Sequence, residues 1–201
     1  MDTKAVLLDI GNVVLGVDFL GVLAAWSSFA GVPVTQLKDR FELDEAYSQY
    51  ERNEIPFAAY TQHLNNVLGI DLTDREWQDG WNQVWTQPFS EVVALLPDLR
   101  NRMPLYAFSN TNQVHATHFR AHYADEISAF ITVFCSNEIG LRKPEIEAYL
   151  NVCQRMDVRP ENVLFLDDNE ENIEGALVAG LDAHLCKSEA AVVSHLAPLL
   201  N

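Results

Sequence analysis

The chain has 201 residues, of which 48% are hydrophobic and 21% are charged. That length and composition predict one globular domain with an ample core and room for an inserted subdomain, and they exclude a disordered chain. The formal net charge of −16 repels nucleic acid and anionic membranes, so we expect neither as a partner. The same charge opposes an anionic substrate at long range, so a phosphate site must be made locally positive by a metal or a lysine.

The cysteines and the first residues of the chain favour a reducing compartment. Cys135, Cys153 and Cys186 are widely spaced, form no C-x-x-C motif and lie in apolar stretches, so we interpret them as packed free thiols. The sequence starts almost directly with an apolar strand, without a signal peptide, and no run of about 20 apolar residues follows. We therefore expect a cytoplasmic protein, present as a monomer or a weak homodimer.

Apolar runs alternate with amphipathic patterns along most of the chain. This alternation predicts an α/β fold, a doubly wound parallel sheet with helices on both faces. Ligands of such sheets bind beyond the carboxyl ends of the strands. Strands are predicted near 4–9, 104–109, 131–135, 162–167 and 182–186. Helices are predicted near 90–102, 112–122, 145–156, 170–180 and 188–200.

Residues 18–88 interrupt the alternation of strands and helices. The stretch is rich in Trp, Tyr, Gln and Asn and is interpreted as entirely helical. Because it is inserted after the first strand, we predict a helical cap over the carboxyl edge of the sheet. The predicted division is a core of 1–17 and 89–201 with a cap of 18–88.

Two groups of cap residues are candidates for packing or for substrate contact. Trp77, Trp81 and Trp85 recur every four residues, which predicts one helical face. We expect this stripe to pack in the cap core against Trp26 and Phe29, with stacking on a sugar ring as the alternative. A second segment carries long side chains with polar ends and is favoured for substrate contact. It comprises Tyr47, Tyr50, Glu51 and Arg52.

Four polar clusters each follow an apolar run. The carboxylate of Asp9 can attack phosphorus or ligate Mg²⁺. Each cluster alone has an ordinary interpretation as a turn or helix cap, or as a solvated lysine. All four fall at the same predicted edge of one sheet, so a shared site is more probable than four separate caps. The clusters are Asp9, Ser109-Asn110, Lys143-Pro144 and Asp167-Asp168.

The later clusters complement the nucleophile chemically. The Ser109 hydroxyl and the backbone N–H of Asn110 could hold a phosphoryl oxygen near a helix N-terminus. The Lys143 ammonium could neutralise both Asp9 and a phosphate. The adjacent carboxylates of Asp167 and Asp168 repel one another unless a cation compensates, which predicts a metal. Asn172, one helical turn later, could orient these acids or a metal-bound water.

The motifs around these clusters resemble those of the haloacid dehalogenase-like hydrolases, helical-cap subclass. The resemblance covers essentially the full length and implies a Rossmann-like hydrolase core with an inserted cap. Within the family, the motif sequences are most similar to those of the bacterial alpha-D-glucose-1-phosphate phosphatase branch. It implies a Mg²⁺-dependent phosphatase of a small phosphorylated metabolite, such as a sugar phosphate. The matching segments are 8–14, 108–112, 140–144 and 165–172, with 51–55 in the cap.

The resemblance also implies a role for each site residue. Asp9 is the nucleophile and a Mg²⁺ ligand, with the Gly11 carbonyl as a second ligand and Asp168 as a third, and Asp167 close by. Two neighbouring residues, Ser109 and Asn110, hold the phosphate. A catalytic lysine, Lys143, contacts the phosphate and screens its charge from Asp9.

One position departs from the family pattern. Most phosphatases of this family carry a second aspartate two residues after the nucleophile, as the general acid and base, and this chain has Gly11 there. Such a group typically contributes about 10²–10⁴-fold. A substitute acid could come from Asp18, Glu51 or His115, or the leaving group could need little help, as an anomeric hydroxyl does.

Two alternative functions stay open at this point. The chain could be a weak or inactive relative that only binds a phosphate ligand. It could instead be a metal-independent 2-haloacid dehalogenase, since dehalogenases of the family also lack the second aspartate. The Asp167-Asp168 pair argues against a dehalogenase, because two unneutralised carboxylates are unfavourable beside a nucleophilic Asp9.

Overall fold

The computed structural model describes residues 3–200. The strands are β1 (Ala5–Leu8), β2 (Leu15–Val17), β3 (Trp85–Pro88), β4 (Leu105–Ser109), β5 (Val133–Cys135), β6 (Val163–Asp167) and β7 (Asp182–Leu185). The helices are α1 (Phe19–Ala30), α2 (Val34–Lys38), α3 (Glu45–Glu51), α4 (Phe57–Leu68), α5 (Asp74–Trp81), α6 (Ser90–Arg102), α7 (Gln113–His122), α8 (Ala124–Ile127), α9 (Ser136–Ile139), α10 (Ile146–Met156), α11 (Glu170–Val178) and α12 (Glu189–Leu196).

The main sheet has five parallel strands in the order β5-β4-β1-β6-β7. The predicted doubly wound parallel sheet is confirmed. Strand β1 is central, and its Leu8 pairs with Ala107 on one side and Leu166 on the other. The carboxyl ends of β4, β1 and β6 therefore lie side by side, which places their following residues at one edge.

Alternate residues of the central strand enter two different cores. Val6 and Leu8 pack in one hydrophobic cluster with residues such as Leu96 of α6. Ala5 and Leu7 pack in the other with residues such as Tyr149 of α10. Because side chains alternate across a strand, burial on both faces requires an unbroken apolar run. This double burial explains why the sequence of β1 shows no polar alternation.

The predicted elements of the sheet layer agree with the structure to within a few residues, with one correction at the end of the chain. The predicted helix 188–200 is α12 only as far as Leu196, and a 3₁₀ turn follows over Ala197–Leu200. Pro198 lies in that turn and cannot donate the backbone hydrogen bond that an α-helix would require.

The predicted cap, residues 18–88 (the cap segment), contains helices α1–α5. The prediction that it is entirely helical is wrong at its end, because Trp85–Pro88 forms β3 and pairs antiparallel with β2. This ribbon joins the two points where the chain leaves and re-enters the sheet layer. The division into a core and a cap domain stays a prediction.

The tryptophans of the cap segment form its core. Trp77 and Trp81 lie on α5 and are each 1% exposed, and Trp26 stacks on Trp81 at a ring-centroid distance of 5.2 Å. The predicted packing role of these three residues is therefore confirmed. Trp85 does not continue the helical face, because it lies on β3. Phe29 is 45% exposed, so its predicted role as a packing partner is wrong.

The three cysteines lie in the buried environment that is expected of packed free thiols. Cys135, Cys153 and Cys186 are buried free thiols, and burial raises the pKa of each. This agrees with their interpretation as packing residues. Within residues 3–200, no helix combines the length and apolar character needed to cross a bilayer.

Candidate active site

The four predicted clusters meet at the carboxyl edge of the sheet. Asp9 directly follows β1, Ser109 ends β4, and Asp167 ends β6. Lys143 lies in the loop between α9 and α10. The cleft above this edge is lined by members of all four clusters, namely Asp9, Ser109, Asn110, Lys143 and Asp168, and also by Gly11.

Lys143 is the structural centre of the site. Its Nζ donates to Asp9 Oδ1 at 2.8 Å, to Asp167 Oδ2 at 2.6 Å and to the carbonyl of Phe108 at 2.9 Å. An ammonium has three donors, so all of them are used within the protein. Although burial lowers it, the two carboxylates hold the pKa of Lys143 above its ordinary value. The lysine is therefore a fixed positive charge beside Asp9.

The side chain of Asn110 fixes the backbone of this lysine. Its Oδ1 accepts from the N–H of Lys143 and its Nδ2 donates to the carbonyl of Lys143, both at 2.8 Å. Both ends of the amide are thus committed to the lysine loop. Any contact of Asn110 with a phosphate would therefore use its backbone N–H, as the sequence predicts.

Asp167 lies beneath the cleft, is fully buried and does not line it. Besides Lys143, it accepts from the backbone N–H of Asn169 at 2.9 Å and from Nδ2 of Asn172 at 3.0 and 3.1 Å. The predicted orienting role of Asn172 is thus visible for Asp167, the acid that it contacts. The carboxylate of Asp167 holds Lys143 in place from below.

Asp168 faces the cleft and is held by Asn12, a residue that the sequence analysis did not identify. Asn12 Nδ2 donates to Asp168 Oδ2 at 3.0 Å, and Asn12 Oδ1 accepts from the N–H of Val17 at 2.9 Å. The backbone of Asn12 is left-handed, with φ 52°, a conformation in which asparagine is enriched. An asparagine directly after Gly11 was the available signal.

The electrostatic balance of the site favours an added cation. Burial raises the pKa of Asp9 to about 7; Lys143 lowers it, whereas Asp167 and Asp168 raise it. Three carboxylates thus face a single ammonium. One oxygen from each of Asp9, Asp167 and Asp168 lies within 4.8 Å of the others. Clustered carboxylate oxygens with uncompensated charge are the donor set of Mg²⁺, so these residues fit a magnesium ion.

The ligands of such an ion would come mainly from the cleft side. Asp9 and Asp168 line the cleft together with Gly11. Asp167 is close enough to contribute an oxygen, but its oxygens already accept from Lys143, Asn169 and Asn172. The geometry therefore favours Asp9 and Asp168 as ligands and gives Asp167 a supporting position.

The residues after β4 form the opposite wall. Ser109 Oγ has one long contact, 3.4 Å to the carbonyl of Asn110, and Asn112, not Ser109, caps α7. The interpretation of Ser109 as the helix cap is therefore wrong, and its hydroxyl remains available to the cleft. Thr111, which the sequence analysis passed over, also lines the cleft. Its buried Oγ1 has no hydrogen-bond partner among the described residues.

The cap segment covers the cleft with mostly apolar side chains. They include Phe19, Leu43, Val84 and Trp85.

Of the segment favoured for substrate contact, Tyr47 and Glu51 line the cleft, whereas Tyr50 and Arg52 do not. Tyr50 stacks on Tyr60 at 4.9 Å, and the guanidinium of Arg52 pairs with glutamates, at 3.2 Å in the case of Glu145.

The three candidates for a substitute acid are all committed elsewhere. Asp18 caps α1 by accepting from the N–H of Leu20 at 2.8 Å, and it does not line the cleft. Glu51 accepts from Nε of Arg142 at 3.0 Å. His115 is buried and makes hydrogen bonds through both ring nitrogens, to Asn112 and to the Trp81 carbonyl.

Comparisons with known proteins agree with this fold. A curated relative, a sesquiterpene phosphatase of Aspergillus oryzae, is 28% identical over 193 residues, which cover 93% of this chain and 92% of the relative. A D-ribitol-5-phosphate phosphatase of Bacteroides thetaiotaomicron is 20% identical over 203 residues, with 98% of each chain covered. Particular closeness to glucose-1-phosphate phosphatases stays a prediction.

A solved structure supplies the structural comparison. It is a HAD-family enzyme of Bacteroides thetaiotaomicron in complex with magnesium and inorganic phosphate. The two folds superpose with a TM-score of 0.78 at 24% identity, over 92% of this chain and 95% of that one. A sequence profile described as haloacid dehalogenase-like hydrolase matches residues 3–180. Because the match covers most of its length, the chain belongs to the haloacid dehalogenase-like hydrolase family.

Proposed function

We propose that the protein is a Mg²⁺-dependent phosphatase that hydrolyses a small phosphorylated metabolite through an aspartyl-phosphate on Asp9. The observation that carries the proposal is the pairing of Asp9 with Lys143 at 2.8 Å, with Asp168 on the same cleft. This arrangement combines a nucleophile, a fixed cation and an oxygen-rich cation site. The enzyme is accordingly a phosphoric monoester hydrolase, as are relatives that match it over nearly its full length.

The reaction assigns a task to each residue. A carboxylate oxygen of Asp9 attacks phosphorus, and the ester oxygen leaves with its bonding electrons. Lys143 stabilises the charge of the transition state from a fixed position, while Ser109 and the backbone N–H of Asn110 bind phosphoryl oxygens. Bound Mg²⁺ would be held by Asp9, Asp168 and the Gly11 carbonyl and would neutralise negative charge around the phosphoryl group.

The substrate is proposed to be a sugar phosphate such as glucose 1-phosphate. A sugar 1-phosphate has an anomeric leaving oxygen, which is more acidic than an ordinary alcohol. Such a substrate therefore suits a site with Gly11 where most family phosphatases carry an acid. Aromatic rings of Phe19 and Trp85 line the cleft and offer apolar faces against which a sugar ring can pack.

The proposal extends to the roles of the cap segment and the core, to the partners and to the compartment of the protein. The cap segment selects the leaving group, and the core of 1–17 and 89–201 carries the chemistry. With a net charge of −16, nucleic acid and anionic membranes are disfavoured as partners. A cytoplasmic monomer or weak homodimer is proposed.

A screen of phosphate esters tests the proposal. Phosphate release is measured with Mg²⁺ and with excess chelator, for the parent protein and for Asp9→Asn. We expect chelator-sensitive release by the parent and none by the variant. The control is Asp71→Asn, which alters an exposed carboxylate and should keep the parent rate.

Other outcomes would reject the proposal. Parent-level hydrolysis by Asp9→Asn would exclude Asp9 as the nucleophile. Chelator-insensitive halide release from a 2-haloacid would instead identify a dehalogenase. Ligand binding without any turnover would identify a non-catalytic binder.

A further inference from the structure

The fate of the leaving oxygen is decided by the proton donors around the cleft. When Asp9 attacks, one P–O bond forms and another breaks, and the departing oxygen keeps the electron pair. An alkoxide is a poor leaving group unless an acid protonates it, and a positioned acid contributes about 10²–10⁴-fold. A substitute acid would have to be a side chain that lines the cleft and has a proton to give.

The carboxyl groups of the cleft are engaged as acceptors. Glu51 is 1% exposed, and burial raises the pKa of its carboxyl above the ordinary value. Its Oε2 accepts from Nε of Arg142 at 3.0 Å, and this contact and one with Tyr47 oppose the shift and tie the carboxyl to its neighbours. Asp168 accepts from Nδ2 of Asn12 at 3.0 Å and belongs to the carboxylate cluster. A third carboxylate, Asp9, is the nucleophile itself. None of the three is a free carboxylic acid aimed at the leaving oxygen.

His115 lines the cleft but has no transferable proton. Its Nε2 lies 3.0 Å from the carbonyl of Trp81, which can only accept, so Nε2 carries the proton and donates it there. Its Nδ1 faces Nδ2 of Asn112 at 3.2 Å and is therefore the acceptor. Burial lowers the pKa of His115 to about 3, so the ring stays neutral with both nitrogens in use.

The remaining titratable donors of the cleft are Lys143, Tyr47 and Arg142, and they are also poor acids. All three N–H groups of Lys143 are bonded within the protein. Tyr47 contacts Glu51, and burial raises the pKa of its phenol well above the ordinary value. The guanidinium of Arg142 does not lose a proton in proteins.

Gly11 leaves the position beside the nucleophile without any side chain. A Cβ built there would lie 3.9 Å from Asp9 Oδ2 and 3.3 Å from Cγ2 of Val17. A side chain at this position would thus point into the neighbourhood of the reacting carboxylate. Among residues 3–200, the close contact of this Cβ is with one methyl group of Val17.

We infer that this enzyme selects phosphate esters by the acidity of the leaving hydroxyl, accepting anomeric, enolic and phenolic leaving groups and discriminating against ordinary alcohols. The inference rests on the proposed phosphatase activity and deepens it. The leaving oxygen departs as an anion and takes its proton from solvent water. A second water then attacks phosphorus and gives a proton to the hydroxide left by the first water, while the P–O bond to Asp9 breaks, the carboxylate is regenerated and phosphate is released.

A matched substrate pair tests the inference. Phenyl phosphate and benzyl phosphate carry the same ring, but phenol is far more acidic than benzyl alcohol. We expect kcat/KM for phenyl phosphate to exceed that for benzyl phosphate by about 10²-fold or more, the scale of a missing general acid. Glucose 1-phosphate should exceed glucose 6-phosphate in the same direction. Equal kcat/KM values for phenyl and benzyl phosphate would overturn the inference.

A variant pair tests the cause. Gly11→Asp combined with Val17→Ala adds a carboxyl group and removes the methyl that its Cβ would meet. We expect the benzyl-to-phenyl ratio of kcat/KM to rise by about 10²-fold. The matched control, Gly11→Asn with Val17→Ala, adds a side chain of the same shape without an acid and should leave the ratio unchanged. Equal gains in both variants, or no gain with aspartate, would count against the inference.

A further variant, Glu51→Gln, tests whether a carboxyl group of the cap segment acts as the general acid. If Glu51 protonated the leaving group, Glu51→Gln would slow benzyl phosphate selectively, and the inference would be wrong. We expect instead that both substrates change by the same factor.

The failure of this inference can be distinguished from failure of the proposed function. If phosphate were released from every ester at rates independent of the leaving group, the inference on leaving-group acidity would be rejected, whereas the proposed phosphatase activity would stand. No release from any ester by folded, Mg²⁺-supplied protein would remove both.

Discussion

The carboxylate of Glu51 accepts a hydrogen bond at 3.0 Å from Nε of Arg142, although the two residues lie 91 positions apart. Glu51 ends α3 of the cap segment, and Arg142 directly precedes the buried Lys143. A second ion pair, between Arg52 and Glu145 at 3.2 Å, spans the same junction. These contacts join the cover of the cleft to the loop that supplies its fixed cation.

The two members of the first pair should differ in their contribution to stability. The side chain of Glu51 is 1% exposed and that of Arg142 is 21% exposed. Arg142→Met leaves the buried carboxylate of Glu51 without its ionic partner and should lower the free energy of unfolding by about 3 kcal/mol. Glu51→Gln leaves a cation that can reach solvent, so we expect a loss of about 1 kcal/mol. Urea denaturation measures both.

An exposed ion pair provides the control for these variants. Arg75 pairs with Asp79 on the surface of α5, with its side chain 89% exposed. Arg75→Met should be neutral within error, because exposed pairs contribute little. A loss in Arg142→Met no larger than that in Arg75→Met would contradict the buried-charge argument.

Magnesium should stabilise the folded protein independently of turnover. The clustered oxygens of Asp9, Asp167 and Asp168 repel one another until a cation binds. At a Mg²⁺ concentration 100 times the dissociation constant, we expect about 2.7 kcal/mol of added stability. Differential scanning fluorimetry with Mg²⁺ or chelator measures it as a rise in Tm.

Asp168→Asn should lose most of that rise, because it removes a cleft-facing carboxylate. Asp71→Asn removes an exposed carboxylate far from the cluster in sequence and should keep the rise in full. Equal Mg²⁺ responses in the two variants would place the ion elsewhere.

The sequence was most informative about the sheet edge, for a physical reason. Parallel strands end at a common edge, so apolar runs that stop at Asp9, Ser109 and Asp167 predict their proximity without any knowledge of the helices. Buried strands also leave a strong local signal, since both faces require apolar residues. Lys143 lies in the loop between α9 and α10, so its direct pairing with Asp9 does not follow from the strand ends alone.

Contacts between distant segments could not be predicted in the same way. The bonds from Asn12 to Asp168 and from Arg142 to Glu51 join residues 156 and 91 positions apart, and no local pattern encodes either. The four-residue spacing that assigned Trp85 to a helix was overridden by pairing of β3 with β2. Long-range pairing can outweigh local periodicity in this way, because propensity is a weak constraint.

The buried His115 should make stability depend on pH between about 7 and 3. Its pKa is lowered from 6.5 to about 3 by burial. Above pH 6.5 the ring is neutral whether the chain is folded or unfolded, so its contribution is fully present. Below pH 6.5 the unfolded chain binds a proton that the folded chain cannot, so stability falls until the pH approaches 3. Between pH 7.5 and 5 the loss from this residue should be about 2 kcal/mol.

Replacement of this ring tests the assignment. His115→Gln removes the titrating group, so its free energy of unfolding should decline by about 2 kcal/mol less than that of the parent between pH 7.5 and 5. Urea denaturation at both pH values provides the comparison. His122→Gln, on the exposed part of the same helix, should keep most of the parent decline. Parallel declines for His115→Gln and the parent would refute the prediction.

Gly80 on α5 allows the close approach of Trp26. A Cβ at this position would lie 2.3 Å from Cδ1 and 2.5 Å from Nε1 of Trp26. Alanine normally stabilises a helix by about 1 kcal/mol relative to glycine. Here the indole cannot retreat, because it stacks on Trp81 and donates to the Trp77 carbonyl at 3.2 Å. Overpacking should therefore outweigh the helical gain, and Gly80→Ala should lower the free energy of unfolding by about 1–2 kcal/mol.

The smaller ring of phenylalanine separates the clash from other effects of the Gly80 substitution. In a Trp26→Phe background the crowded indole atoms are absent, so Gly80→Ala should cost less than in the parent and could become favourable. Urea denaturation of the two single variants and the double variant gives the coupling energy. The double variant should lose less stability than the sum of the two single losses, because the clash between residue 80 and the indole is absent in it. Strict additivity would mean that the cost of alanine arises elsewhere on α5. In that case the close approach of the indole would not be the reason that this helix tolerates a glycine.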